Sequence, residues 1–486
     1  MRKETRVFTY QLRLEVDQTV EIALGAFGKL YGTMERHLFQ DLMDKKEINA
    51  IKSSYLLRFG VTARHFNGCR KLLEGKIESI LQARKEQITT LKNRIAHLLQ
   101  KIPRIKNPFT RHQKQRHLQN IVHKMEALEK DKQEGTIRLC FGSKKLFSAQ
   151  FHLEENGYAS FDEWKLDWEE ARSSEFFCIG SKDETAGNQT CVLTLLETGE
   201  GSLRLRLPNA LEAEHGKYLL IPISFPHYGK KEVLAALQKS QALSYRFKKD
   251  EKGWRVFISF ERSPHAIITK EHIGAIGVDI NADHIALVET DLHGNPIDKK
   301  TVPLCTYGAC KDKAKALIGD AVKEVIAWAK EKGKPLVREE LSFAKKKASL
   351  KEGTPKQARM LSSFHYSTFI QYLDRKGFCE GISIHTVNPA FTSVIGRLKF
   401  SKRYGLTIHH SAALVIARRY YKFSEAFSKS PISVVHKRFH VTFLLPVLNR
   451  GEHVWKSWKK AHENFKAALV ALSRKSPPPK PCLAGG

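Results

Sequence analysis

The sequence predicts an α/β domain of five strands and three helices in the second half of the chain, preceded by a helical hairpin and a β-rich region. Three observations predict it. The first is Gly277-Val278-Asp279-Ile280-Asn281. Ile273, Ile276 and Val278 are apolar, with small Gly274, Ala275 and Gly277 between them, as in a short strand buried on both faces. Strands follow at His284 to Thr290 and Pro296 to Val302, joined by the turn Asp291 to Asn295. The second is the order of the later elements. A helix of about Lys311 to Lys332 closes at Gly333. A strand, Pro335 to Leu341, a helix of about Lys356 to Lys376, a strand, Gly381 to Val387, and an apolar helix, His409 to Phe423, come next. The third is a heptad seam, Ile77, Leu81, Ile88, Leu91, Ile95, Leu98 and Ile102, with Arg84 filling its one gap. Pro103 and Pro108 end it, and a second helix of about Thr110 to Lys132 returns as the other arm of the hairpin.

The 486 residues suffice for two to four domains. Hydrophobic residues make up 42%, mean hydropathy is −0.38, and no apolar run is long enough to cross a bilayer. Val7 to Leu12 alternates like a strand and does not read as a signal peptide, so a cytoplasmic protein (prokaryotic cytoplasm or nucleoid), with no membrane partner, is expected. Lys and Arg number 82 against 51 Asp and Glu, a net charge of +31. That surplus calls for a polyanionic partner. Its spread along the whole chain favours nucleic acid over an anionic membrane. The eight cysteines form no Cys-x-x-Cys pair, and Cys305 and Cys310 have no second pair nearby. Zinc is not expected, and the cysteines read as reduced thiols.

These signals divide the chain into residues 1–20, a first strand; 21–134, helical; 135–271, β-rich, a small barrel; 272–429, the α/β domain; and 430–486, a basic tail with a disordered end. Strands are expected at Ile137 to Phe141, Phe176 to Ile179, Cys191 to Leu196, Ser202 to Leu207, Tyr218 to Ile223, Ala242 to Phe247 and Trp254 to Glu261. Candidate phosphate-contacting residues are Arg111, Lys114 and Arg116 on the hairpin, Lys144 and Lys145 after it, and the loop Lys345, Lys346, Lys347. A solvated basic face is the plain alternative for all of them.

The element order β-β-β-α-β-α-β-α is that of an RNase H-like fold, in which a carboxylate at the end of the first strand holds a divalent metal. Phosphodiester hydrolysis needs an activated water and neutralised charge on the attacking and leaving oxygens, which two metals about 4 Å apart supply. Asp279 and Glu339 each end a strand, and this connection sets the two strands side by side. Asp279 also reads as a turn cap, and Glu340 as a ligand in place of Glu339.

Gly277-Val278-Asp279, Val337-Arg338-Glu339-Glu340-Leu341, Asn388-Pro389-Ala390-Phe391-Thr392-Ser393 and Ser411-Ala412-Ala413 resemble motifs of the transposon-encoded TnpB family. Those are RNA-guided DNA nucleases with a RuvC-like domain, similar to type V CRISPR effectors. The motif-bearing likeness covers about residues 270–425, and the hairpin and β region are laid out like the family's recognition and wedge domains. The resemblance implies a guide RNA, a double-stranded DNA target beside a short adjacent motif, and cleavage with Mg²⁺ or Mn²⁺. Two departures stand out. The family's four-cysteine zinc finger is reduced to the basic stretch Arg397 to Arg403. The family's third acid is matched by His409, followed by His410. An imidazole can ligate a metal or act as a base, so His409 either replaces that acid, marks a dead site, or is a helix residue with no ligand role. The function expected is an RNA-guided endonuclease using Asp279, Glu339 and His409. The alternatives are an RNA-guided binding protein that has lost cleavage, acting by target occupancy alone or as a transposase accessory, and a DNA-strand transposase.

Overall fold

The computed structural model describes residues 5–184, 187–281, 283–340, 366–426, 432–436, 439–443 and 453–475. The chain divides into two units, Met1–Ser263 and Pro264–Gly486.

The first unit opens with β1 (Arg6–Arg13), whose Phe8, Tyr10 and Leu12 are buried at every second position. α1 (Gln18–Met43) starts where the Asp17 carboxylate accepts from the Val20 N–H. α2 (Ile48–Phe59) follows, ended by left-handed Gly60. α3 (Ala63–Lys101) and α4 (Pro108–Gln133) form the hairpin, its seam made by buried Leu91, Leu98, Ile102 and Ile121 with Ile95, Leu118 and Met125 beside them. The seam is shorter than the heptad pattern implies, for Leu81 is exposed. Arg84 explains the gap: it is buried, and its guanidinium donates to the carbonyls of Asp131, at 2.9 Å, and Thr136, near the end of α4.

Residues 137–141 are not a strand. They lead into two helices that the sequence pattern did not predict, α5 (Lys144–Ala149) and α6 (Phe161–Ser173). α6 is rich in acids and buries only Trp164, so its apolar periodicity is faint. Then come β2 (Glu175–Cys178), β3 (Cys191–Leu195), β4 (Glu200–Arg206), β5 (Tyr218–Ser224), helix α7 (Lys230–Gln238), β6 (Ser244–Asp250) and β7 (Gly253–Arg262). The expected barrel is instead two antiparallel sheets, β1-β7-β6-β2 and β3-β4-β5, with no hydrogen-bonded closure among the described residues. The edge strands, β1 and β2 of the larger sheet and β3 and β5 of the smaller, make no ladder with one another among the described residues. Buried Asn188 bridges them, donating to the Cys178 and Leu243 carbonyls and accepting from the Thr190 and Cys191 N–H groups.

The second unit is built on β8 (Ile276–Ile280), β9 (His284–Thr290), β10 (Pro296–Pro303), helix α8 (Lys311–Lys332), β11 (Leu336–Glu339), helix α9 (Tyr366–Glu380), β12 (Ile384–Val387) and helix α10 (Ile408–Tyr420). The sheet order is β10-β9-β8-β11-β12. β8 pairs antiparallel with β9 and parallel with β11, and β11 is parallel to β12. This topology is RNase H-like. One face packs Ile276, Val278 and Leu336 against α8 and α9 through Val322, Ile326 and Phe369. The other receives α10, where His410 to Ala417 are all buried. A Cβ on Gly277 would lie 1.9 Å from the Ala413 carbonyl oxygen, so only glycine admits the helix at this distance.

The tail expected from residue 430 is in part folded into this unit. β13 (Ile432–His436) and β14 (Phe439–Phe443) pair antiparallel. α11 (Val454–Lys475) buries Trp458, Ala461 and Phe465 against Leu398, Phe400 and Leu414. Those three residues lie on one helix face, a signal masked by the surrounding lysines. Residues 476–486, expected as disordered, and Lys345, Lys346 and Lys347 lie outside the described residues. Among the described residues no helix is long and apolar enough to cross a membrane.

Gly277→Ala should lower unfolding free energy by about 3 kcal/mol through the clash with α10, measurable as a fall in the denaturant midpoint.

Candidate active site

Asp279 stands near the end of β8, the middle strand of the sheet, and its side chain is 13% exposed. Parallel pairing puts Arg338 opposite Val278, so the next step along the register sets Glu339 beside Asp279, on the same face and about one strand spacing of 4.8 Å away. Alternation turns Glu340 to the opposite face, and its N–H is engaged by the Val387 carbonyl at 2.8 Å. Of the two neighbouring glutamates, Glu339 is therefore the one that accompanies Asp279.

His409 lies in the first turn of α10, which begins where Thr407 caps the His410 N–H. Its Nδ1 is 3.2 Å from Asp279 Oδ2. His410 does not join it. It is 7% exposed, with Nδ1 2.8 Å from the Thr407 hydroxyl and Nε2 3.1 Å from Thr301 Oγ1, a clamp between helix and β10.

Further side chains act on the two acids. Asn281 Nδ2 donates to Asp279 Oδ2 at 2.9 Å. Buried Thr392 donates its hydroxyl to Glu339, and the preceding Phe391 adopts a left-handed backbone, φ 60°, to deliver it. Burial, and then the charges of Asp279 and Glu339, raise the Tyr366 phenol above its ordinary pKa. Arg419 has its pKa lowered by burial, with the charges of Glu339 and Glu425 acting against that. It donates to the Asn388 carbonyl. Asn281 and Thr392 lie in runs that the sequence singles out, Gly277 to Asn281 and Asn388 to Ser393; Tyr366 and Arg419 come from segments with no such signal.

His409 has its pKa raised, first by the hydrogen bond to Asp279 and further by the charges of Asp279 and Asp283, while burial and Arg397 oppose this. Asp283 also bonds His284 Nδ1 at 2.7 Å, and the His284 ring lies edge-on to His409 at 4.8 Å. Two carboxylates and an imidazole are donors that a divalent cation accepts, the oxygens suiting Mg²⁺ or Mn²⁺. Among the described residues, however, no group of three or more His, Cys, Asp and Glu is arranged to hold a metal.

Of the basic candidates, Arg111 and Arg116 are exposed and Lys114 is half-buried on α4, while Lys144 and Lys145 are exposed in the first turn of α5. The described cysteines are free thiols, with Cys305 and Cys310 both exposed.

No known protein family model matches the chain, and no curated protein matches it either. Among solved structures, a Cas12f1–sgRNA–target DNA complex is similar with a TM-score of 0.37 at 11% identity, over 85% of this chain and 99% of that one. RuvC of T. thermophilus bound to a Holliday junction gives 0.22 at 14% identity, over 30% of this chain and 90% of that one. The Cas12i1 R-loop complex before target DNA cleavage gives 0.29 at 9% identity, over 76% of this chain but only 56% of that one. These scores are low, and the class rests on the strand order of the second unit: an RNase H-like α/β domain with two acids side by side at its strand ends.

A histidine whose folded pKa exceeds its unfolded value, about 6.5, stabilises the fold fully below the unfolded value. That stabilisation is lost as pH rises through the folded value. In metal-free protein, parent should therefore exceed His409→Asn in stability most below about pH 6 and converge with it in mildly alkaline solution, as read by urea unfolding. Asp279→Asn should lower the NMR titration midpoint of His409.

Proposed function

We propose that the chain is an RNA-guided DNA endonuclease that binds a guide RNA and cuts complementary double-stranded DNA next to a short adjacent motif. The observation that carries this reading is the pairing of Asp279 and Glu339 on neighbouring parallel strands, with His409 Nδ1 3.2 Å from Asp279. The net charge of +31 supports a polyanionic partner, and the motif resemblance to TnpB proteins supports the guide.

Asp279 and Glu339 would hold Mg²⁺ or Mn²⁺, with His409 as a third ligand once it leaves Asp279. A bound divalent ion supplies charge neutralisation at the phosphate and a water of lowered pKa. Asn281 and Thr392 fix the two carboxylates by donating to them, leaving less rotamer freedom to lose on binding. His409 must give up its proton to expose a nitrogen lone pair, so its raised pKa opposes that step, which a higher pH favours. Imidazole suits Mn²⁺ better than Mg²⁺.

The second reading is an RNA-guided binding protein without cleavage, acting by target occupancy. The hydrogen bond between His409 and Asp279 favours it, since an imidazolium at that place neutralises the carboxylate a metal would use.

Protein purified with its own RNA and assayed with Mg²⁺ or Mn²⁺ should cut target DNA. Asp279→Ala and Glu339→Gln should bind the DNA and leave it whole, and His409→Asp should shift the preference from Mn²⁺ towards Mg²⁺. A parent protein that binds target without cutting selects the second reading, and protein recovered free of RNA overturns the guided reading. Affinity should also fall roughly 10³-fold between roughly 50 and 200 mM salt, measured by filter binding; a flat response would exclude backbone-dominated binding.

A further inference from the structure

A cavity of ≈ 660 Å³ opens where β12 ends, in the same unit as the acids. Its lining includes Asn388, Arg419, Tyr420, Phe423, His453 and Trp455. It adjoins the candidate active site through the backbone: Val387, also in its wall, pairs with Glu339, and Arg419 donates to the carbonyl of the next residue, Asn388. The volume falls within the range of about 300–1,000 Å³ usual for small-ligand sites.

The lining is aromatic and cationic. The Arg419 guanidinium lies 5.9 Å from the centroid of the Trp455 ring. The His453 ring meets Trp455 edge-on at 5.1 Å, and the Trp455 backbone N–H donates to His453 Nδ1 at 3.3 Å. Tyr420 stacks on His385 at 4.5 Å. Lys422 is exposed at the cavity. The wall that carries Trp455 is anchored: one turn further along α11, Trp458 is fully buried and its indole N–H donates to the Glu425 carbonyl at 2.9 Å. Trp455, only half-buried, is not needed for that anchoring.

We propose that this cavity receives an unpaired base of the DNA strand whose phosphate lies at Asp279 and Glu339. The proposal deepens the nuclease reading and rests on it. Every base offers a π-face to an indole or phenol ring, while Arg419 and Lys422 meet the negative backbone that follows it. A base held here would fix the strand one step from the acids.

The test uses the full chain with its co-purified RNA, in an Asp279→Ala background so that bound strands stay whole. Single-stranded oligo-dT carrying one 5-iododeoxyuridine is irradiated on the protein, and the adducts are mapped by peptide mass spectrometry. Adducts are expected at Trp455 or Tyr420. Trp455→Ala should remove them and weaken oligo-dT binding about tenfold, Trp455→Phe should restore most of the affinity, and thermal unfolding should match the parent. Adducts confined to other peptides, preferential adducts from a 4-thiouridine-labelled guide RNA, or affinity within about twofold of the parent in well-folded Trp455→Ala would overturn the proposal. If the otherwise unchanged parent binds and forms these adducts yet cuts no DNA, the base site stands and the nuclease reading falls. If Trp455→Ala binds and cuts like the parent, the base site falls and the nuclease stands.

Discussion

The Ala413 carbonyl fills the space in which a side chain at position 277 would begin, and the acidic site depends on that contact. With nothing on Gly277, α10 lies directly on the middle strand, and its first turn arrives level with Asp279. The same economy of volume continues outward. A Cβ on Gly396 would come within 2.6 Å of the Ser411 backbone, so small residues at 396, 411 and 412 allow a second backbone to close over the helix. Interiors packed this tightly transmit position faithfully. His409 reaches Asp279 because two backbone segments, at Gly277 and at Gly396, leave its helix no other height, and because His410 locks the same turn to β10.

The strand that bears Glu339 is held at both ends by different chemistry. At its start, Lys334 is buried and donates to Glu289 at 2.6 Å and to the Thr290 carbonyl at 2.9 Å. At its end, Glu339 accepts from Thr392. A buried ion pair adds little net stability, because desolvation offsets its attraction. Its value here is positional: leaving either charge unpaired would be costly, so β11 resists sliding by a residue, which would carry Glu339 to the wrong face.

Much of the second unit was legible in the sequence. The run around Asp279 shows small residues alternating with apolar ones because both faces of β8 are covered, and that pattern survives in one dimension. Helix α8 runs Lys311–Lys332, as its periodicity predicts. The choices between Glu339 and Glu340, and between His409 and His410, were not legible. Each depends on which of two adjacent residues faces the acid, and that is set by strand register and by the roughly 100° helical step per residue. Tyr366 and Arg419 were hidden for a related reason: they come from distant segments and follow no period, whereas the Phe391–Thr392 turn lies inside the Asn388 to Ser393 motif. In the first unit, α6 was missed because its face is built from few aromatics among many acids. The barrel was wrong because strand count does not specify closure. The lysines around Trp458, Ala461 and Phe465 disguised a packing helix as a tail.

Glu425 ties three separate stretches together. Its carboxylate accepts from Lys399 at 2.6 Å and from Arg418 at 2.5 Å, and its carbonyl takes the Trp458 indole. Two cations facing one buried anion leave a surplus of one positive charge. The acid is part of the cavity lining beside β12, so the residue that gathers these two cations also belongs to that wall. Its carboxylate and its carbonyl act separately: one joins Lys399 to Arg418, the other fixes Trp458 and with it α11.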